Sequence, residues 1–108
     1  MSHKKITPTP LEKRTQPYWH ALNDIIDPEI GVGIVDLGLI YNIEIKNSTA
    51  TVIMTFTSMG CPAGPSITEQ VREEMEKIPK VKKVKIKIVW DPGWTIDMMN
   101  PDVRAMLP

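Results

Sequence analysis

The sequence predicts a two-layer α/β domain of the α+β kind, with the element order α-β-β-α-β and two helices on one face of a three-stranded mixed sheet. Two segments repeat apolar residues at helical spacing, and three alternate apolar and polar residues as strands do. The 108 residues, 42% of them hydrophobic, suffice for one compact core. Each helix has one apolar stripe to bury, and a right-handed crossover makes the third strand parallel to the second.

The first helix follows a proline-containing arm. Residues 1–14 are predicted to be a flexible N-terminal arm, and residues 15–108 a single domain. The helix is expected to begin near Thr15 as its N-cap, with Pro17 in the first turn. Its apolar positions are Trp19, Leu22, Ile25 and Ile26. It should end before Pro28, after which residues 27–38 form a glycine-punctuated loop.

A strand hairpin is predicted next. Leu39, Tyr41, Ile43 and Ile45 alternate with Ile40, Asn42, Glu44 and Lys46. Asn47-Ser48 supplies the turn, and residues 50–57 return as the second strand.

The second helix and third strand complete the domain. Ser66 and Glu69 have capping-box spacing, which predicts a helix start at Ser66. The apolar stripe of this helix comprises Ile67, Val71, Met75 and Ile78. The third strand alternates an apolar face of Val84, Ile86, Ile88 and Trp90 with Lys83, Lys85 and Lys87.

Charge and cysteine content limit the classes of function. Thirteen basic residues balance thirteen acidic ones, so no overall field draws the chain to nucleic acid or to an anionic membrane. Apolar stretches are too short for a membrane helix, and residues 1–17 lack the apolar region of a signal peptide. A single cysteine suits a reducing compartment, and we expect a cytoplasmic protein.

Cys61 is the first candidate for chemistry. It lies between the second strand and the second helix, flanked by Gly60 and Pro62. Hydroxyls of Thr57 and Ser58, with free amides near a helix start, could stabilise its thiolate, the reactive and metal-binding form. The alternative is a buried cysteine that acts as a small hydrophobic residue. One thiolate cannot fill the four ligand positions of an iron–sulfur cluster, so any cluster must be shared across a dimer, completed by non-cysteine ligands or borrowed from a partner.

The other polar candidates have plainer interpretations. The sequence contains no C-x-x-C pair, which excludes a zinc ribbon. His20 and His3 are isolated histidines. Asp27, Glu29 and Asp36 are more typical of loop and cap residues than of an acid/base pair. The lysines between residues 77 and 87 indicate a solvated strand face rather than a nucleic-acid site. Trp90 and Trp94 bracket Asp91-Pro92-Gly93; one is expected to close the core and the other to form a contact surface. The alternative is a tail that folds back over the end of the sheet.

Four motifs occur in order along the chain: Asp27-Pro28-Glu29, Asp36-Leu37-Gly38-Leu39-Ile40-Tyr41, Thr55-Phe56-Thr57 with Gly60-Cys61-Pro62, and Trp90-Asp91-Pro92-Gly93-Trp94. Together they make the sequence resemble the iron–sulfur cluster assembly domain family that includes SufT and PaaD proteins. The resemblance covers residues 19–107. It implies an α/β domain that helps to mature Fe–S proteins, by carrying a transient cluster or by docking a carrier onto its client.

The resemblance also implies roles for residues and partners. Cys61 matches the characteristic cysteine of the family and is the expected cluster ligand, and Asp36 matches the acidic position of the D-L-G motif and is a weaker metal candidate. The expected interaction surface comprises Thr57, Gly60, Pro62, Trp90 and Trp94. The expected partners are Fe–S scaffold or carrier proteins, client apo-proteins and a second copy of the chain. Gly93 departs from a common family proline, and the cysteine-rich extension of PaaD-like members is absent from this sequence. Gly93 is expected to make the tail looser, and the missing extension favours a SufT-like role in the SUF system.

Three hypotheses follow. In the first, Cys61 is a transient cluster or iron ligand of an assembly factor. In the second, the chain is a metal-free adaptor in the same pathway, and its tryptophans matter more than its cysteine. In the third, Cys61 is the nucleophile of a thiol-dependent enzyme, although the sequence shows no base for it; we expect no enzymatic activity.

Overall fold

The computed structural model of the chain describes residues 8–57, 60 and 62–106. Along these residues lie the helices α1 (Pro17–Asn23), α2 (Ile34–Leu37), α3 (Gly64–Glu76) and α4 (Pro101–Arg104). The strands are β1 (Ile26–Asp27), β2 (Val32–Gly33), β3 (Ile40–Lys46), β4 (Thr49–Met54) and β5 (Lys83–Ile88). Two 3-10 turns, Leu11–Lys13 and Ile96–Met98, complete the elements of these ranges. None of the helices in the described ranges is long and apolar enough to cross a bilayer.

The main sheet is mixed, as the sequence predicts. Its strand order is β3-β4-β5, with β3 antiparallel and β5 parallel to β4. The hairpin between β3 and β4 turns at Asn47 and Ser48, whose φ angles are 51° and 65°. Two consecutive positive φ values are what a tight two-residue hairpin turn requires, so the predicted turn is confirmed.

The core lies between one face of this sheet and helices α1 and α3. The inward strand residues belong to the same buried cluster as the apolar stripes of both helices. They are Ile43, Ala50, Val52, Met54 and Val84, and they meet Trp19 and Leu22 from α1 and Ile67, Val71 and Met75 from α3. Full burial of a large apolar side chain contributes about 1.5–3 kcal/mol, so packing between the layers is a main source of stability. The predicted order α-β-β-α-β is present as α1, β3, β4, α3 and β5, and the fold class is confirmed.

The segment between α1 and β3 is more structured than predicted. The first helix ends at Asn23 rather than near Asp27. The predicted loop then contains the two-stranded ribbon β1–β2 and the single helical turn α2. Gly31, with φ of 79°, turns the ribbon, and its amide donates to the Asp27 carbonyl over 2.7 Å. Strands of two residues and a helix of four are too short to show periodicity in a sequence.

The predicted capping box of the second helix is wrong. Helix α3 begins at Gly64, two residues before Ser66, and its N-cap residue Ala63 makes no side-chain capping bond. Pro65 therefore lies within the first turn, where a missing N–H breaks no intrahelical hydrogen bond. Ser66 Oγ instead accepts a hydrogen bond from Gln70 Nε2.

Residues 9–14 of the predicted arm contact the domain. The Thr9 amide donates to the Tyr41 carbonyl over 2.8 Å, which extends the outer edge of β3. Arg14 donates to the Val35 carbonyl, and its guanidinium lies 5.1 Å from the ring centroid of Trp19. These contacts attach the chain to the fold before Thr15, while residues 1–7 of the predicted arm lie outside the described residues.

Candidate functional site

The connection from β4 to α3, residues 55–63, contains Cys61. Cys61 itself, with Ser58 and Met59, lies outside the described residues. Its neighbours Gly60 and Pro62 are exposed, and Thr57 is half-buried. The predicted surface residues of this connection therefore face solvent at least in part.

Both ends of the connection are held by the core. Thr55 is fully buried, and its amide donates to the Leu39 carbonyl over 2.9 Å. At the other end Gly64 is buried against Phe56, and a Cβ atom there would lie 3.3 Å from the phenyl ring. Glycine at position 64 thus lets the start of α3 approach the ring closely. The connection leaves and enters the fold at two fixed points.

Trp90 packs beside this connection. Strand β5 ends at Ile88, so Trp90 lies beyond the strand that was predicted to include it. Its ring centroid lies 6.2 Å from that of Phe56, with an interplanar angle of 50°, which is a favourable tilted aromatic geometry. Trp90 is 39% exposed, so a large apolar surface is open to solvent next to Phe56.

The motif around Asp36 holds the C-terminal tail. We call these contacts the tail clasp, formed by Asp36, Leu37, Gly38 and Tyr41 on one side and Pro92, Trp94, Met98 and Asn100 on the other. The Trp94 indole Nε1 donates to the Leu37 carbonyl, and the Asn100 amide donates to the Asp36 carbonyl, each over 2.7 Å. The Tyr41 hydroxyl donates to the Pro92 carbonyl over 2.7 Å. The second and fourth motifs of the sequence therefore bind each other.

Gly38 makes the tail clasp possible. Its φ of 89° ends α2 in the left-handed conformation, which glycine adopts without a steric penalty. A Cβ atom at this position would also collide with the backbone of Met98. Position 38 therefore requires glycine for two reasons: its left-handed backbone conformation and its close approach to the Met98 backbone.

Asp36, the weaker metal candidate, has both carboxylate oxygens engaged. Oδ2 accepts from Asn23 Nδ2 over 2.9 Å, and Oδ1 accepts from Asn100 Nδ2 over 3.2 Å. The Asp36 amide donates in turn to Asn23 Oδ1. The carboxylate thus links α1, α2 and the tail. Neither asparagine was predicted, because residues so far apart in the chain give no local pattern.

A small cavity of about 190 Å³ opens beside Asp36. Arg14, His20 and Asn23 are among its lining residues. Burial lowers the pKa of Arg14 from its ordinary value, and the nearby Asp36 carboxylate acts in the opposite direction. His20 is exposed on α1. Over the described part of the chain, no three His, Cys, Asp or Glu side chains come together in a way that could hold a metal ion.

The Asp27-Pro28-Glu29 motif builds a turn. Asp27 is buried, and its Oδ1 accepts from the Glu29 amide over 2.9 Å. Its carbonyl accepts from the amides of Ile30 and Gly31. The interpretation of Asp27 and Glu29 as loop and cap residues is confirmed.

Comparison with known proteins places this geometry in a family. Residues 19–88 match the family model described as "Iron-sulfur cluster assembly protein". The chain is 48% identical over 84 residues to the Fe-S protein maturation auxiliary factor SufT of Staphylococcus aureus, an alignment that covers 77% of this chain and 96% of the relative. It is 44% identical over 88 residues to the Fe-S protein maturation auxiliary factor YitW of Bacillus subtilis, with 81% of this chain and 86% of the relative covered.

A solved structure has the same fold. The crystal structure titled Domain of Unknown Function DUF59 from Bacillus anthracis superposes with a TM-score of 0.77 at 33% identity. The superposition covers 87% of this chain and 91% of that one. The family match extends from α1 to the end of β5 and so includes the Cys61 connection and the first half of the tail clasp. The chain belongs to the iron–sulfur cluster assembly protein family.

Proposed function

We propose that the chain is a cytoplasmic Fe–S protein maturation factor of the SufT type, which carries or delivers an iron–sulfur cluster to client apo-proteins through Cys61. The observation that most supports this is the β4–α3 connection, with both ends fixed at Thr55 and Gly64 and exposed residues on either side of Cys61. The fold thus fixes where the chain enters and leaves the segment that contains Cys61. The names of the two bacterial relatives support the same role.

The ligand count indicates a shared cluster. A four-ligand cluster needs more donors than one thiolate supplies. In the described ranges no group of His, Cys, Asp and Glu residues offers a second ligand set, and the Asp36 oxygens are both occupied by amides. The remaining ligands would therefore come from a second copy of the chain, a scaffold or carrier protein, or the client. The cluster is cargo in this proposal, held briefly between two proteins.

Anaerobic reconstitution with iron and sulfide tests the role of Cys61. We expect the wild type to bind iron and sulfide with visible absorption, and Cys61→Ser to lose both. His20→Ala is the matched control, because it removes an exposed potential metal ligand on α1 without touching the connection. A Cys61→Ser variant that retains wild-type iron and sulfide would contradict the proposal.

Oligomeric state tests how the cluster is shared. If two copies supply the ligands, light scattering on the reconstituted protein should show a dimer that dissociates when the cluster is removed by a chelator. Cluster bound to a monomer in the absence of any other protein or thiol would rule out sharing between copies.

The metal-free adaptor is the second candidate, and the exposure of Trp90 favours it. A 39% exposed tryptophan packed on Phe56 is typical of a protein contact site. In this case Cys61→Ser would still mature client Fe–S enzymes, whereas Trp90→Ala would not. Trp94 is less suitable as a probe than Trp90, because its indole is bonded to Leu37 within the tail clasp.

A further inference from the structure

The face of the main sheet opposite the core carries a concentration of lysines. We call it the lysine face, and it comprises Lys46, Lys83, Lys85 and Lys87 with Glu44, Thr49, Thr51 and Ile53. The strand register arranges these residues in rows: Lys46, Thr49 and Lys83 in one, and Glu44, Thr51 and Lys85 in the next. All four lysines are exposed, and the three β4 residues between them are half-buried. The centre of the face is therefore uncharged, and lysines form most of its border.

Charge is segregated between the two layers of the domain. The chain as a whole is neutral, with thirteen basic and thirteen acidic residues. The lysine face holds four lysines and one glutamate, whereas the exposed side of α3 carries Glu69, Glu73 and Glu76. The sheet face is thus locally basic and the exposed side of α3 locally acidic, although the net charge of the chain is zero.

We propose that the lysine face binds an acidic segment of a partner protein. Lysines on alternate residues of β5 stand about 6.6 Å apart, which matches the spacing of alternate side chains in an extended acidic segment. The uncharged strip along β4 offers the methyl groups of Thr49 and Thr51 and the side chain of Ile53 to the apolar parts of that segment. The inference is independent of cluster binding, because it rests on the sheet and not on Cys61.

A nucleic acid fits this face less well than a protein does. Single-stranded nucleic acid binds where aromatic side chains stack on the bases, and the residues of the lysine face include no aromatic side chain.

A second copy of the chain also fits less well. The acidic side of α3 from one copy could meet the lysine face of another, but that contact is head-to-tail and does not close into a dimer. It would generate open chains, which concentration-dependent light scattering would detect.

The size of the face predicts weak and salt-dependent binding. Three strands about 4.8 Å apart and six residues long at about 3.3 Å each give an area of a few hundred Å². This is well below the roughly 800 Å² that each partner contributes to a standard stable interface. Exposed charges are screened over about 10 Å at moderate ionic strength. The complex should therefore form rapidly, dissociate readily and weaken as salt is added.

The test uses a synthetic glutamate-rich peptide titrated into isotope-labelled wild-type protein and followed by amide NMR shifts. We expect shifts on β4 and β5, and an affinity reduced about tenfold or more in the triple variant Lys83→Gln, Lys85→Gln and Lys87→Gln. The matched control is Lys13→Gln, Lys77→Gln and Lys80→Gln, which removes the same charge from exposed lysines elsewhere. The affinity of this control variant for the peptide should stay within about twofold of the wild-type value. Thermal unfolding of both variants verifies that they remain folded.

Three results would overturn the inference. If both triple variants lost the same affinity for the peptide, binding would depend on net charge alone and not on the lysine face. Shifts that fall outside β3, β4 and β5 would place the peptide on another surface. If an oligonucleotide or vesicles containing anionic lipid bound these lysines more tightly than the peptide does, the partner would be nucleic acid or membrane and not an acidic protein segment.

Discussion

The Cys61 connection and the tail clasp both contain motifs of the family, yet their residues are fixed to very different degrees. In the tail clasp, Asp36, Leu37 and Tyr41 each bond to a residue of the C-terminal tail, and Gly38 allows the close approach. In the connection, Thr55 is buried at one end, whereas Gly60 and Pro62 face solvent. A sequence motif can therefore mark a contact inside the fold, as in the tail clasp, or a segment with solvent-exposed residues, as at Gly60 and Pro62.

The difference separates two kinds of residue that sequence alone treats alike. Asp36 and Trp94 were both predicted to serve the site directly, and their side chains are engaged inside the fold. Trp90 remains partly exposed beside Phe56 and is better placed for a partner. Substitutions in the tail clasp should therefore reduce stability, whereas substitutions in the connection should alter function.

Gly38→Ala should have the largest effect on stability. The substitution forces a non-glycine residue to φ of 89° and brings its Cβ into the Met98 backbone, so we expect a loss of about 3 kcal/mol in the free energy of unfolding. Urea denaturation measures it. Gly60→Ala is the control: a Cβ there meets nothing within 4 Å, and stability should change by less than about 0.5 kcal/mol. If both variants lost the same free energy of unfolding, the tail clasp and the Cys61 connection would not differ in how tightly they constrain their glycines.

Asp36→Ala should rank second. It removes the acceptor of the Asn23 and Asn100 side-chain amides, and we expect a loss of about 2 kcal/mol. The same variant tests the metal candidate. Iron and sulfide content after reconstitution should stay at the wild-type level per folded chain, whereas a cluster that disappears with Asp36 while the protein stays folded would make this residue a ligand.

The sequence predicts the regular parts of the fold well and the irregular parts poorly. Helical and strand periodicity identified α1, β3, β4, α3 and β5, because each spans enough residues to show its repeat. The sequence predicts a loop where the ribbon β1–β2 and the turn α2 lie, because these elements are too short to show a periodic pattern. The start of α3 was placed at Ser66 because its spacing to Glu69 suits a capping box, although the helix begins with Gly64 and Pro65.

The candidate site was predictable in position but not in contacts. Motifs located the Cys61 connection between β4 and α3. The pairing of the second motif with the fourth depends on hydrogen bonds between residues more than fifty positions apart, such as Tyr41 to Pro92 and Leu37 to Trp94. Contacts at this separation follow from the folded chain and have no local pattern.

Trp94→Phe should destabilise the protein more than Trp90→Phe. Phenylalanine at position 94 cannot donate to the Leu37 carbonyl, and we expect a loss of about 1.5 kcal/mol. At position 90 phenylalanine keeps most of the aromatic packing on Phe56, so the loss should be below about 0.5 kcal/mol. Thermal unfolding of the pair measures both. The reverse order would mean that Trp90, not Trp94, anchors the tail.

Tyr41→Phe should have the smallest effect at neutral pH and a distinctive one in alkali. Loss of the hydroxyl donor to the Pro92 carbonyl costs about 1 kcal/mol. Burial raises the pKa of Tyr41 above its ordinary value of about 10, so the unfolded chain ionises first as pH increases. The stability due to the neutral phenol is thus fully present below about pH 10 and is lost as pH rises through the folded pKa. Urea denaturation from neutral pH to above pH 10 should therefore show a shallower alkaline decline in Tyr41→Phe than in wild type. Parallel declines would mean that this hydroxyl does not hold the tail in the folded state.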